Sequence, residues 1–195
     1  NYNYDEKSLL EANVRYDGTS RFAKDNRWGC FPSFSAGWNF SKEKFMSFAD
    51  PVLQMAKLRA SWGELGNQNV GDNFYPYLVA IESVDKAYPI GNQLNTGFQQ
   101  IALGNKNIKW ETIRMLNIGV DFALFNNRLT VSADWFKKNN MDALVRPSFP
   151  LVIGKWQKDS SRDYLPLENL GEVESRGWEI NLAWRDQIGQ VKYRA

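Results

Sequence analysis

Apolar and polar residues alternate along most of this chain in short blocks, and the clearest block is Trp178–Arg185. Side chains on a strand change face at every residue. Trp178, Ile180, Leu182 and Trp184 therefore point one way, and Glu179, Asn181, Ala183 and Arg185 the other. An aliphatic band closed at each end by an aromatic and backed by a polar face is what a strand between lipid and water requires. The pattern recurs and predicts seven strands: Ser8–Asp17, Pro32–Ser41, Met55–Leu65, Thr112–Leu124, Arg128–Lys137, Val173–Arg185, and one beginning after Gly189. The first six approach the ~9–11 residues that a tilted strand needs to cross a bilayer.

The connections alternate in length. Long outer loops are expected at about 18–31, 66–111 and 139–171, with a medium connection at Lys42–Gln54 and short turns at Asn126-Asn127 and Asp186–Gly189. Asn tolerates the φ > 0 that a tight hairpin demands. Long loops on one side and short turns on the other characterise outer-membrane barrels. On that reading Tyr16, Phe34, Trp62, Trp135 and Trp178 form a girdle toward the exterior. Phe40, Phe122 and Trp184 form one toward the periplasm, and Trp38 is a further girdle residue. The six residues from Trp178 to Trp184 span ~20 Å along the strand, or ~15 Å of height after tilting, short of the ~25 Å apolar band expected. A soluble β-sandwich is the alternative use of the same alternation. Loops of such length in a small domain count against it.

Composition narrows the chemistry. The chain has 195 residues, 14% aromatic, with 8 Trp and a mean hydropathy of −0.51, which suits a barrel with a wet lumen or a carbohydrate-binding sandwich. The net charge of +2 gives no electrostatic reason to expect a nucleic-acid partner. There is no His, which removes the commonest general base and metal ligand. Cys30 is the only cysteine, so no disulfide framework exists, and it reads as a packing residue. No apolar stretch approaches the ~20 residues of a membrane helix. Neither a signal peptide at the first residues nor a finished strand at the last is visible, so the chain reads as an internal fragment.

Catalytic signals are weak, and no catalytic or metal-ligating residue is assigned. Glu172 and Glu174 sit on one face of a strand end, where solvated charge is the ordinary meaning of a carboxylate pair. Asp159 to Asp163 lacks the ligand spacing and final Glu of a calcium loop. Gly63 and Gly66 follow a strand but precede no helix, so no phosphate loop is formed.

Four ordered segments resemble the SusC/RagA family of TonB-dependent outer-membrane proteins. The first holds Val14-Arg15-Tyr16-Asp17-Gly18-Thr19-Ser20-Arg21-Phe22, then Asn26-Arg27-Trp28-Gly29 and Phe31-Pro32-Ser33-Phe34-Ser35-Ala36-Gly37-Trp38, with Tyr16 and Cys30 departing from the family pattern. The second is Lys57-Leu58-Arg59-Ala60-Ser61-Trp62-Gly63 with Gly66-Asn67-Gln68. The third runs from Ile108-Lys109-Trp110-Glu111-Thr112 through Leu116-Asn117-Ile118-Gly119-Val120-Asp121-Phe122 to Phe125-Asn126-Asn127-Arg128-Leu129. The fourth is Gly171-Glu172-Val173-Glu174-Ser175-Arg176-Gly177-Trp178-Glu179.

The resemblance implies an all-β fold, part of an antiparallel transmembrane barrel of about 22 strands with a plugged lumen. It further implies the outer membrane of a Gram-negative bacterium, import of oligosaccharides or peptides without enzymatic activity or cofactor, a SusD-like lipoprotein partner, and energy from the TonB complex. A passive porin-like channel and a soluble carbohydrate-binding β-domain remain the alternatives.

Within a barrel, Asn13, Arg15, Asn39, Arg59, Ser61, Asn117, Asp121, Ser132, Asp134, Glu179, Asn181 and Arg185 would line the lumen and hold a plug, with Gly37, Gly63 and Gly119 leaving room. Substrate or partner contacts are expected from the loops: Trp156, Tyr164, Tyr75, Tyr77, Asn67 and Gln68. Tyr88, Asn69 and Trp110 could join them, although Trp110 fits better as a structural residue beside its strand.

Overall fold

Each alternating block becomes one strand of a single antiparallel sheet. The computed structural model describes residues 1–49, 51–71, 74–91, 93–147, 166–188 and 191–195. The strands are β1 (Tyr2–Tyr4), β2 (Ser8–Gly18), β3 (Trp28–Asn39), β4 (Leu53–Asn67), β5 (Ala80–Ile90), β6 (Gln93–Ala102), β7 (Glu111–Leu124), β8 (Leu129–Val145), β9 (Glu168–Ile188) and β10 (Val191–Arg194). Eight of them form one sheet in the order β1-β2-β3-β4-β7-β8-β9-β10, while β5 and β6 make a separate hairpin. All seven strands expected from the alternation are present.

Four features depart from the sequence expectation. β8 and β9 run on to Val145 and back to Glu168, well inside the loop expected at 139–171. Alternation fails there because neither face is apolar, yet the backbone pairing continues through a bulge at Asp142, which has φ 58°. β3 begins at Trp28 rather than Pro32, and the segment 66–111 contains the β5–β6 hairpin. β1 is joined to β2 through Asp5-Glu6, both at φ 51°, with Lys7 N–H donating to the Tyr4 carbonyl at 2.9 Å. That turn uses neither Asn nor Gly, so its residues did not announce it.

The pairing register keeps the faces separate across the whole sheet. One row reads Leu10–Ala36–Ala60–Ile118–Trp135–Trp178 from β2 to β9, and its neighbour on the other face reads Gly37–Arg59–Gly119–Asp134–Glu179 from β3 to β9. On β9 the apolar face is bare: Trp178, Ile180 and Leu182 are 76%, 69% and 67% exposed. A soluble sandwich would cover that face with a second sheet. Among the described residues the β5–β6 hairpin is the only other sheet.

A small core sits at the long-loop end instead. Phe22, Phe31, Val70, Ile108 and Trp110 are buried there, with Leu144 and Leu167 packed against them. Trp110 meets Phe22 and Phe31 edge-on at 5.6 and 5.4 Å and donates from Nε1 to the Arg27 carbonyl at 3.2 Å. It ties the 19–27 segment and its own 103–110 segment to β3, a structural role.

Candidate functional site

The polar face concentrates its charge at one place. Arg59 on β4 donates from Nε to Asp121 Oδ2 at 2.5 Å and from Nη2 to Asp121 Oδ1 at 3.0 Å and Asp134 Oδ1 at 3.1 Å. Ser132 Oγ donates to Asp121 Oδ1 at 2.8 Å. Bidentate contact of a guanidinium with a carboxylate is the strong form of such a bond. Arg59 and Asp134 lie on strands separated by β7, and the residue between them in the row is Gly119. A Cβ at that position would stand 2.1 Å from Asp134 Oδ1 and 2.9 Å from Arg59 Nη2. The missing side chain lets the guanidinium cross a strand.

Arg59, Asp121, Ser132 and Asp134, expected independently on the lumen side, thus form one cluster. Arg15, Asn117, Glu179 and Arg185 of the same set stand outside it. Arg15 pairs with Asp17 at 2.5 Å and lies 6.0 Å from the Phe31 ring centre. Asn117 is on the same face, its Oδ1 buried and without a hydrogen-bond partner among the described residues. Glu179 is Asp134's neighbour across β9, and Arg185 is exposed near the short-turn end, its N–H donating to the Arg128 carbonyl at 2.7 Å. The polar face also carries Phe136, whose ring a Cβ on Gly177 would meet at 2.9 Å.

On the apolar face the aromatics fall on two diagonals. Counted from the Leu10–Trp178 row toward the long loops, Trp178 and Trp135 stand at zero, Trp62 and Phe34 two residues out, and Tyr16 six. Trp135 lies 6.4 Å from Trp178, Phe34 5.9 Å from Trp62, and Tyr16 stacks on Trp28 at 5.1 Å. Trp28, inside the expected loop 18–31, is a diagonal residue that alternation missed. Counted the other way, Trp184 is six residues below the row, Phe122 four and Trp38 two. Phe125 lies 6.5 Å from Trp184, while Phe40 and Phe45 gather around Trp38, widening the lower band. Cys30 is exposed on this face opposite Tyr16, not packed in a core.

The loop candidates divide. Asn67 is engaged within the protein: its Nδ2 donates to Glu111 Oε2 at 2.6 Å and its Oδ1 accepts from Asn69 N–H at 3.0 Å. Buried Glu111 also takes the Leu144 N–H at 2.6 Å, locking β4, β7 and β8 together at their outer ends. Gln68 is exposed, and its carbonyl accepts from Arg21. Tyr75 and Tyr77 meet edge-on at 6.4 Å, with Tyr75 half exposed. Trp156 and Tyr164 lie outside the described residues.

Among the described residues no group of three His, Cys, Asp or Glu converges as a metal site. At the β1–β2 turn, the hydrogen bond and charge of Lys7 hold the Asp5 carboxyl below its ordinary range, and Asp5 raises Lys7 in return.

A single twisted sheet with one bare apolar face, one charged face and alternating long and short connections is a section of a membrane β-barrel wall. Sequence comparison agrees: the family model described as "TonB dependent receptor-like, beta-barrel" matches residues 1–194, and the chain belongs to that family. A TonB-dependent receptor of Formosa agariphila is 36% identical over 93% of this chain, and the TonB-dependent receptor SusC of Bacteroides thetaiotaomicron is 34% identical over 93%. The chain spans only 16% and 17% of those two proteins. The solved RagAB peptide importer in its closed-closed state superimposes with a TM-score of 0.78 at 22% identity, over 96% of this chain and 19% of that one, a likeness of fold.

Proposed function

We propose that this chain forms wall strands of a SusC-like, TonB-dependent importer in the outer membrane of a Gram-negative bacterium. Its apolar face meets lipid and its polar face meets the lumen. The two aromatic diagonals carry the reading. In a barrel tilted by ~40°, with strands ~4.8 Å apart, a level ring must advance ~4 Å, or ~1.2 residues, per strand. Five steps from β9 to β2 then require ~6 residues, the offset that separates Tyr16 from the Trp178 row. The lower diagonal follows the same slope through Trp184, Phe122 and Trp38. The lower set is therefore a level belt once the sheet is tilted, and the upper set is a broader one whose ends, Trp178 and Tyr16, are level while Trp135, Trp62 and Phe34 lie ~1–3 residues nearer the membrane centre.

On this reading the Arg59–Asp121–Asp134 cluster faces the lumen and braces the wall where a plug is held, together with Arg15, Asn117, Glu179 and Arg185. The cargo is an oligosaccharide or peptide. Support comes from the SusC relative, the RagAB peptide importer fold and the motifs in the sequence. A SusD-like lipoprotein caps the long-loop end, where Tyr75, Tyr77, Gln68, Trp156 and Tyr164 are the contact candidates, and TonB supplies energy.

The test uses the full-length protein in lipid nanodiscs with Cys30 replaced by Ser and a spin label at Ile180→Cys or Asn181→Cys. The label at 180 should be reached by dissolved oxygen and shielded from a water-soluble nickel relaxant; the label at 181 should show the reverse. Equal access of the nickel reagent to both positions defeats the membrane reading. Uptake of labelled oligosaccharide and peptide by cells with and without TonB then identifies the cargo.

A further inference from the structure

Above the upper aromatic belt, the two faces of the wall exchange character. Outward positions there hold Glu64, Arg114 and Glu174, while the inward positions beside them hold Leu65, Met115 and Val173. Leu65 lies across the ladder from Ile113, and Met115 is the next inward residue down β7. Leu65, Met115 and Val173 are 54%, 40% and 61% exposed, so nothing among the described residues covers them. The wall itself has no need of apolar side chains turned toward a wet lumen. A contiguous apolar patch left open in this way marks a surface that receives something.

The strands beside Leu65 leave room in front of it. Below it the inward side chains of β3 and β4 are small, Ser33, Ser35, Ser61 and Gly63, between the longer ones of β2 and β7. A hollow of about 650 Å3 results, with Leu65, Met115 and Phe31 on one side and Glu11 on the other. Arg15 on its rim is held by Asp17. Glu11 accepts from Asn13 Nδ2 at 2.9 Å and has no ion pair among the described residues. Lys138, directly across the ladder from Met115, is exposed and has neither hydrogen bond nor ion pair among the described residues. The inward carboxylates of β7, β8 and β9 nearest its row are Glu111, Asp134 and Glu179. Each lies four residues along its strand from that row, or ~13 Å. The hollow thus has an unpaired carboxylate at one side and an unpaired ammonium just beyond the other.

We propose that this hollow binds a short peptide, with its amino terminus at Glu11, a leucine-sized side chain against Leu65 and Met115, and its carboxylate at Lys138. The spacing supports that occupant. Glu11 and Lys138 stand four steps apart in the sheet order β2-β3-β4-β7-β8. That is ~19 Å at the backbone, and the two side chains close part of it, leaving the length of about three to five extended residues. Opposite charges flanking an apolar hollow match a zwitterion with an apolar middle. A neutral oligosaccharide offers nothing to either charge, and aliphatic walls give a sugar ring no face to stack on. The hollow shares Phe31 with the loop core and lies above the Arg59 row, so cargo from the long-loop end meets it before the braced part of the wall. The site rests on the barrel orientation and importer reading given above.

The experiment measures binding to the full-length protein in lipid nanodiscs by isothermal titration calorimetry. The probes are the tetrapeptide Ala-Leu-Leu-Ala, its N-acetylated form, its C-amidated form, tetra-alanine and cellotetraose. The free peptide should bind more tightly than either blocked form by about two- to five-fold, the range of an exposed ion pair. K138Q should erase the preference for a free carboxylate and keep that for a free amine, and E11Q should do the converse. Leu65→Ser with Met115→Ser should weaken Ala-Leu-Leu-Ala about ten-fold and leave tetra-alanine unchanged. Equal binding of free and blocked peptides by the wild type overturns the site without reference to any variant, and so does tighter binding of cellotetraose. A plug filling the hollow is the competing occupant. With Cys30→Ser and Leu65→Cys, resistance to a water-soluble maleimide in the absence of peptide would reveal the plug there and end the proposal. A spin label at position 180 in the same discs separates the two failures. If that label is lipid-exposed while no peptide preference is seen, only this site falls. If water reaches it, the barrel reading falls with it.

Discussion

Gly119 is the position at which one added carbon should do most harm. Replacing it with Ala places a Cβ 2.1 Å from Asp134 Oδ1 and 2.9 Å from Arg59 Nη2, well inside contact distance. Asp134 must swing away, and its salt bridge to Arg59 at 3.1 Å is lost. Overpacking of this kind costs about 1–3 kcal/mol. A broken charge-assisted hydrogen bond costs about 1.5–3 kcal/mol, discounted here because Arg59 is 35% exposed. Ala in place of Gly returns about 0.4–1 kcal/mol by restricting the unfolded chain. The net expectation is a loss of about 2 kcal/mol, opposite in sign to an ordinary Gly→Ala change in a strand. The assay is the urea midpoint of the full-length protein in lipid vesicles, followed by gel mobility of unheated samples. The decisive arm is a double-mutant cycle with Asp134→Ala, which removes the obstructing carboxylate. In that background G119A should be neutral or stabilising. If the penalty persists in the Asp134→Ala background, or never appears in the wild type, the crossing guanidinium is not what Gly119 serves.

Three further outcomes follow from the same geometry. Ile180→Arg, midway down the bare face of β9, should destabilise the folded barrel by about 2–4 kcal/mol, whereas Asn181→Arg should be close to neutral; equal effects in vesicle unfolding would contradict the assignment of faces. Gly66→Ala puts a Cβ 2.0 Å from Phe31 Cζ and must expel that ring from the Phe22–Trp110 core. It should speed proteolysis in 19–27 at least several-fold, with Phe31→Leu restoring resistance. Glu111→Gln keeps one acceptor but gives up the charge that draws in Asn67 Nδ2 and the Leu144 N–H; a loss of about 1–2 kcal/mol is expected, with faster amide exchange at Leu144 than at mid-strand Ile118.

Legibility tracked the solvent contrast across the sheet. Where one face is apolar and the other wet, as in Val120–Leu124 or Trp178–Arg185, alternation located the strand and assigned its faces. Beyond the belts both faces are wet and the contrast vanishes, so the outer ends of β8 and β9 passed for loop although their backbone ladder continues to Val145 and Glu168. The β5–β6 hairpin escaped for the same reason. Asn67 shows the converse difficulty: an amide in a polar segment suggests a binding surface, yet it bonds a buried carboxylate, whereas Trp110, read as structural beside its strand, is core.

The sequence by itself determined which side of each strand is apolar, because a period of two is a local property. It also determined the family, because four motifs in order are a property of the string. Only the tertiary structure decided which residues meet. Arg59, Gly119, Asp121 and Asp134 come from three strands, and their contact depends on a register set by pairing across the sheet. The slope of the aromatic belts and the hollow between Glu11 and Met115 depend on it too. Register is the sum of every cross-strand pair at once, so no single block of the chain contains it.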